Sequence, residues 1–90
     1  MSQRQGRIVS EDNSQLMEAA VAAFLSLVPA LAEEIERSVP LGATAAERAL
    51  HRQQKGWAEL CHSAQRTGIA PLEFARQVIR LGEEQRRMRH

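Results

Sequence analysis

Cys61 and His62 come closest to covalent chemistry, since a thiol beside an imidazole can serve as nucleophile and base. Adjacent residues of a helix point about 100° apart, however, so the two side chains do not meet easily. Together with His51 they also lack the spacing of a zinc site, and no other ligand pair completes one. We therefore predict no catalytic residue, no metal site and no cofactor, and we expect that the protein is not an enzyme.

Basic side chains at helical spacing offer a second chemistry, which is contact with phosphate groups or with an acidic partner. They form one stripe along the predicted middle helix and another along the last helix: Arg48, Arg52, Lys55, Arg76 and Arg80. Such stripes are also typical of a solvated helix face. The net charge of the chain is +1, so no global field draws it to nucleic acid or to a membrane. We keep these residues as an alternative binding surface.

The segment 59–81 matches a helix-turn-helix motif in part. The positions that fit are a small residue, the turn glycine and two apolar anchors: Ala64, Gly68, Ile69 and Phe74. Pro71 instead lies where side chains that read bases are expected, and Gln77 lies where an apolar anchor is expected. A small DNA-binding transcriptional regulator that uses this segment is therefore the alternative hypothesis for function.

An apolar stripe is the strongest pattern of the chain, and it belongs to the predicted first helix. Its members recur at steps of three and four: Met17, Val21, Phe24, Val28, Leu31 and Ile35. That spacing is typical of a helix face that packs against another helix. Leu25 and Leu27 widen the face beyond what one neighbouring helix covers, and the last helix also carries a wide apolar face.

The predicted elements are three helices, so the fold class is all-α and the architecture a small three-helix bundle. We predict helix 1 over residues 13–37, kinked or split near Pro29, because proline removes one backbone hydrogen bond and clashes with the preceding turn. Residues 1–11 are polar and predicted to be a flexible segment, which leaves 12–90 as a single helical domain.

Short sequence motifs predict where the other two helices begin and end. Thr44 and Glu47 have the types and spacing of a capping box, which starts helix 2 at about 45–66. Gly68 ends it, and helix 3 follows over about 71–87. Gly56 inside helix 2 weakens the helix, so we expect another helix to approach closely there, with the neighbouring Trp57 ring mostly buried.

The composition of the chain indicates the cellular compartment in which the protein acts. The 90 residues contain one cysteine, which cannot form an internal disulfide. The N-terminus lacks the apolar stretch of a signal peptide, and the longest apolar run is too short to span a membrane. We therefore expect a cytoplasmic protein with no membrane contact. Its alanine content and its use of Arg rather than Lys are typical of a bacterial protein from a high-GC genome.

The surplus apolar surface of helices 1 and 3 predicts a second chain, either a copy of the protein itself in a homodimer or a target protein. We interpret the chain as a non-enzymatic interaction module such as a small bacterial regulatory adaptor, an antiactivator that sequesters a transcriptional regulator, or a chaperone. The predicted partner-binding residues are the apolar side chains around the expected kink: Phe24, Leu25, Leu27, Val28 and Leu31.

Overall fold

The computed structural model describes the backbone of residues 2–88 and the side chains of residues 13–88. Four helices follow one another over this range: α1 (Ser2–Leu27), α2 (Pro29–Arg37), α3 (Ala45–Thr67) and α4 (Pro71–Met88). This range contains no strand, which confirms the all-α fold class. The predicted count of three helices is wrong, because the first one is divided into α1 and α2.

The division between α1 and α2 occurs at Val28, whose backbone leaves the helical region at φ −126° and ψ 76°. Pro29 then opens α2, because it has no backbone N–H and its fixed φ suits the first position of a helix. The two helices are bent by 107°, and although together they have the apolar length of a membrane span, no single described helix does. The predicted split near Pro29 is confirmed.

The start of α1 differs from the prediction, because the helix begins at Ser2 and not near residue 13. Residues 12–14 are good N-cap types, but such residues lower helix stability only by a few tenths of a kcal/mol when they lie inside a helix. Without a proline in this stretch, the helix continues through them. The side chains of the predicted flexible segment 1–11 lie outside the described residues.

The ends of α3 follow their local signals. The Thr44 hydroxyl accepts from the Glu47 N–H at 3.1 Å, and the Glu47 carboxylate accepts from the Thr44 N–H at 2.8 Å. At the other end Gly68 adopts a left-handed conformation, and the Ile69 N–H donates to the Ala64 carbonyl at 3.0 Å. Both predicted helix ends are confirmed, because each is encoded by residues that touch one another.

Small residues let the helices cross closely, with α1 packed on α2, α3 and α4. A methyl group added at Gly56 of α3 would lie 2.5 Å from Val21 Cγ1, and one added at Gly82 of α4 would lie 3.1 Å from Ala23 Cβ. The predicted close approach at Gly56 is confirmed. Trp57 beside it is only partly buried, because its ring lies at the edge of the core.

The core itself is small. Among the described residues, ten apolar residues are buried: Ala20, Val21, Ala23, Phe24, Leu25, Ile35, Leu60, Ala64, Ala75 and Val78. Four of these ten are alanine. All ten except Ala64 belong to one of two clusters, and Trp57 packs against both clusters. The second cluster joins Val21 and Leu25 of α1 to Ile35 of α2, which is how the short α2 is held to the bundle.

Hydrogen bonds and an ion pair on the surface join the C-terminal end of α2 to α3. The Arg52 guanidinium donates to the Glu36 carboxylate, and Nε contributes one bond of 3.0 Å. Ser38 Oγ donates to the Ile35 carbonyl at 2.7 Å and lies 2.8 Å from His51 Nε2. Because the hydroxyl has one proton, which Ile35 receives, the His51 ring must donate to Ser38.

Candidate functional site

Cys61, His62 and His51, which suggested catalysis or metal binding, do not form a metal site in the structure. Among residues 13–88, no three His, Cys, Asp or Glu side chains come together in a way that could hold a metal ion. Cys61 is partly buried, and desolvation raises the pKa of its thiol above the ordinary value. A raised pKa keeps the thiol protonated, which makes it a poor nucleophile near neutral pH.

The predicted partner-binding residues of α1 and α2 belong mostly to the bundle. Phe24 and Leu25 are each only 8% exposed, and Leu27 and Leu31 pack against the core clusters. Val28, at the break between the helices, is 37% exposed. A partner would reach Phe24 only if the bundle opened, and Leu25 exposes only a small part of its side chain, so most of the predicted binding surface is covered in this fold.

The predicted basic surface is partly neutralised by carboxylates. Arg52 pairs with Glu36, and Arg76 lies 3.6 Å from the carboxylate of Glu73 on the preceding helical turn. The other three members of the predicted set are exposed: Arg48, Lys55 and Arg80. Exposed pairs of this kind contribute little to stability, but they lower the local positive charge that a phosphate backbone would need.

The helix-turn-helix segment has the expected turn but a mixed outer face. Ala64 is buried and Gly68 forms the left-handed turn residue, as the motif requires. The exposed polar side chains of α4 over residues 73–84 carry both signs of charge: Glu73, Arg76, Gln77, Arg80, Glu83 and Glu84. A helix that reads bases needs donors without neighbouring carboxylates that repel phosphates, and this face does not provide them.

A groove between α1 and the N-terminal half of α3 is the clearest concave apolar surface of the described residues. We call it the α1/α3 groove. Six of its eight lining residues are uncharged, and one charged residue lies on each helix: Glu18, Val21, Ala22, Leu25, Ala49, Leu50, Arg52 and Gln53. Because Val21 and Leu25 belong to the second core cluster, the groove opens directly above the core.

Leu50 stands at the edge of the α1/α3 groove and also borders a second depression. That depression is formed by the turn before α3 and by one face of the helix: Pro40, Leu41, Gly42, Ala43, Glu47, Leu50, His51 and Gln54. Leu50 is 59% exposed and Leu41 is fully exposed. Leu50 therefore forms an apolar ridge with a concave surface on each side.

The close crossing of α1 and α3 explains why the groove exists. The two helices touch at Gly56 and Val21, where no side chain stands between them. Further toward the start of α3, Ala22 of α1 and Ala49 of α3 both line the groove, and their methyl groups are too short to fill the space between the two helices. The fold thus leaves an apolar groove that the described side chains do not fill.

Sequence reasoning missed this groove because its residues carry ordinary signals. Leu50 lies on the apolar stripe of helix 2 and reads as a core residue, although it is exposed. Ala22 and Ala49 read as helix formers. The signal that could have found the groove is Ala49, a short residue about two helical turns before Gly56, since a glycine crossing next to short side chains leaves a gap.

Comparison with known proteins finds no matching family model, no matching curated protein and no matching solved structure. The function is therefore argued from the geometry of this chain.

Proposed function

We propose that the protein is a non-enzymatic protein–protein interaction module that binds an apolar helix of another chain in the α1/α3 groove. The observation that carries this proposal is the exposure of Leu50 beside a groove whose floor is formed by Val21 and Leu25. An exposed apolar ridge next to an unfilled apolar channel is a typical protein-docking surface.

The arrangement of the groove suits a helical ligand. Val21 and Leu25 lie one turn apart on α1, and Ala49 and Gln53 lie one turn apart on α3. Two parallel rows of side chains at this spacing accept the ridge of a third helix. Burial of the 59% of Leu50 that is exposed would contribute about 1–2 kcal/mol to binding.

This proposal moves the partner-binding surface from Phe24, Leu25, Leu27, Val28 and Leu31 to the groove, of which only Leu25 was part of the predicted set. We further propose that the protein acts in the bacterial cytoplasm as a regulatory adaptor, antiactivator or chaperone that covers a helix of its target. The pairing of Arg52 and Arg76 with carboxylates favours a protein target over DNA.

Capture with matched variants tests the proposal. Leu50→Asp places a charge on the groove edge, and Leu81→Asp makes the same change on α4, where Leu81 is 52% exposed. Because both positions are exposed in the single chain, both variants should keep the wild-type helix content. We expect a protein from the source cell that wild type and Leu81→Asp retain and Leu50→Asp does not.

Titration of the wild-type chain with the purified captured protein then gives the affinity of their complex. Trp57, the only tryptophan, packs against Val21 and Leu25, so its fluorescence should report occupancy of the groove. We expect Leu50→Asp to weaken the affinity at least about tenfold. Equal binding by all three proteins would contradict the proposal, and so would salt-dependent binding of duplex DNA at the affinity of the captured protein.

A further inference from the structure

We infer that the α1/α3 groove is closed by a second copy of this chain, in a two-fold dimer in which Leu50 of each copy enters the groove of the other. This inference rests on the proposed function, because it takes the groove to be a protein-docking surface, and it names the occupant. Three observations on the described residues support it.

The first observation is that the surface is complementary to itself. In a two-fold interface the same patch meets its own copy, so a protruding residue must lie beside the hole that receives it. Leu50 is 59% exposed at the edge of the groove, and Ala22 on the opposite wall carries only a short methyl side chain. Rotation of a second copy about an axis next to Leu50 brings each leucine over the other channel.

The second observation concerns charge. The only charged residues that line the groove are Glu18 on the α1 wall and Arg52 on the α3 wall. In the reciprocal arrangement the α3 wall of one copy faces the α1 wall of the other, so Arg52 faces Glu18 twice. Glu18 forms no ion pair with another described residue, and the guanidinium of Arg52 keeps donors beyond those that Glu36 accepts.

The third observation is the size of the core. Leu60 is the largest side chain that is fully buried among the described residues, and four of ten core residues are alanine. A chain of 90 residues with so little buried apolar volume gains stability when further apolar surface is covered. A second copy is present whenever the protein is present, whereas a target is not, so the copy supplies this stability until a target helix displaces it from the groove.

The test uses the reciprocal nature of the contact. Leu50→Ala removes the protruding side chain but leaves the groove open. Ala22→Phe fills the groove but leaves Leu50 in place, and Ala22→Leu is a second filling variant if the first does not fold. Each variant alone should form a dimer about 100-fold weaker than wild type, because both copies of the contact are lost.

An equimolar mixture of the two variants should recover association, because Leu50 of the filled variant can enter the open groove of the truncated one. We expect the mixed dimer to be about tenfold tighter than either homodimer, and native mass spectrometry distinguishes the three species by mass. Leu81→Ala serves as the control and should dimerise as wild type does.

Three results would overturn the dimer. They are a wild-type mass of 10.1 kDa at every concentration up to the millimolar range, a Leu50→Ala dimer as tight as wild type, and a mixture of variants that contains only the statistical share of mixed dimer. A monomeric wild type whose captured protein still depends on Leu50 would leave the proposed function standing. Failure of the proposed function is recognised separately, by capture that does not depend on Leu50.

Discussion

Gly56 determines how closely α3 approaches α1, and it is the residue on which the shape of the groove depends. We expect Gly56→Ala to destabilise the protein by about 1–2 kcal/mol. The added methyl group would lie 2.5 Å from Val21 Cγ1, and overpacking of this kind outweighs the roughly 1 kcal/mol that alanine gains in helix propensity. Urea unfolding followed by circular dichroism measures the change.

Two further variants separate the steric effect of Gly56→Ala from other causes. In the Val21→Ala background the substitution should be less harmful by at least about 1 kcal/mol, because the contacting methyl group is gone. Gly82→Ala should be milder than Gly56→Ala, since its methyl group would lie 3.1 Å from Ala23 Cβ. A Gly56→Ala protein more stable than wild type would show that the contact between α1 and α3 accommodates the added methyl group.

Individual residues show which structural features the sequence could not predict. The spacing of Val21 and Phe24 predicts correctly that both belong to an apolar face of α1. Spacing does not tell whether a neighbouring helix covers that face, and this depends on the angle and offset of the crossing. Phe24 is therefore buried where a binding surface was expected, and Leu50 is exposed where core was expected.

At the level of the elements, the ends of α3 and the start of α4 were predictable because contacts between neighbouring residues encode them. The capping box of Thr44 and Glu47 and the turn at Gly68 each need no more than six residues. Pro29 likewise predicts the break after α1. The 107° bend at that break was not predictable, because it is fixed by the burial of Ile35 against Val21 and Leu25.

Gly68 offers a test of the turn between α3 and α4. Its φ is +75° and an added methyl group would meet nothing within 4 Å, so Gly68→Ala changes backbone strain without a steric clash. We expect a loss of about 1–2 kcal/mol, and a smaller loss for Gly68→Asn, because asparagine tolerates the left-handed region better. Chemical unfolding measures both, and Gly68→Ala with wild-type stability would mean that the turn can adopt another conformation.

Considered as a whole, the molecule is a helical bundle with a small core and a concave apolar surface that its own side chains leave open. The all-α fold and the location of three of its four helices followed from the sequence. The groove did not, because it arises from the crossing of two helices and from the short side chains of Ala22 and Ala49 on facing walls.

The central claim of this account is that a second copy of the chain covers the α1/α3 groove. Relaxation of leucine methyl protons by a soluble gadolinium chelate, measured on wild type at millimolar concentration, tests it most directly. Leu50 and Leu81 are 59% and 52% exposed in the isolated chain, so an open groove gives nearly equal relaxation at the two residues. We predict strong relaxation of Leu81 and little relaxation of Leu50, and equal relaxation of both would contradict the account.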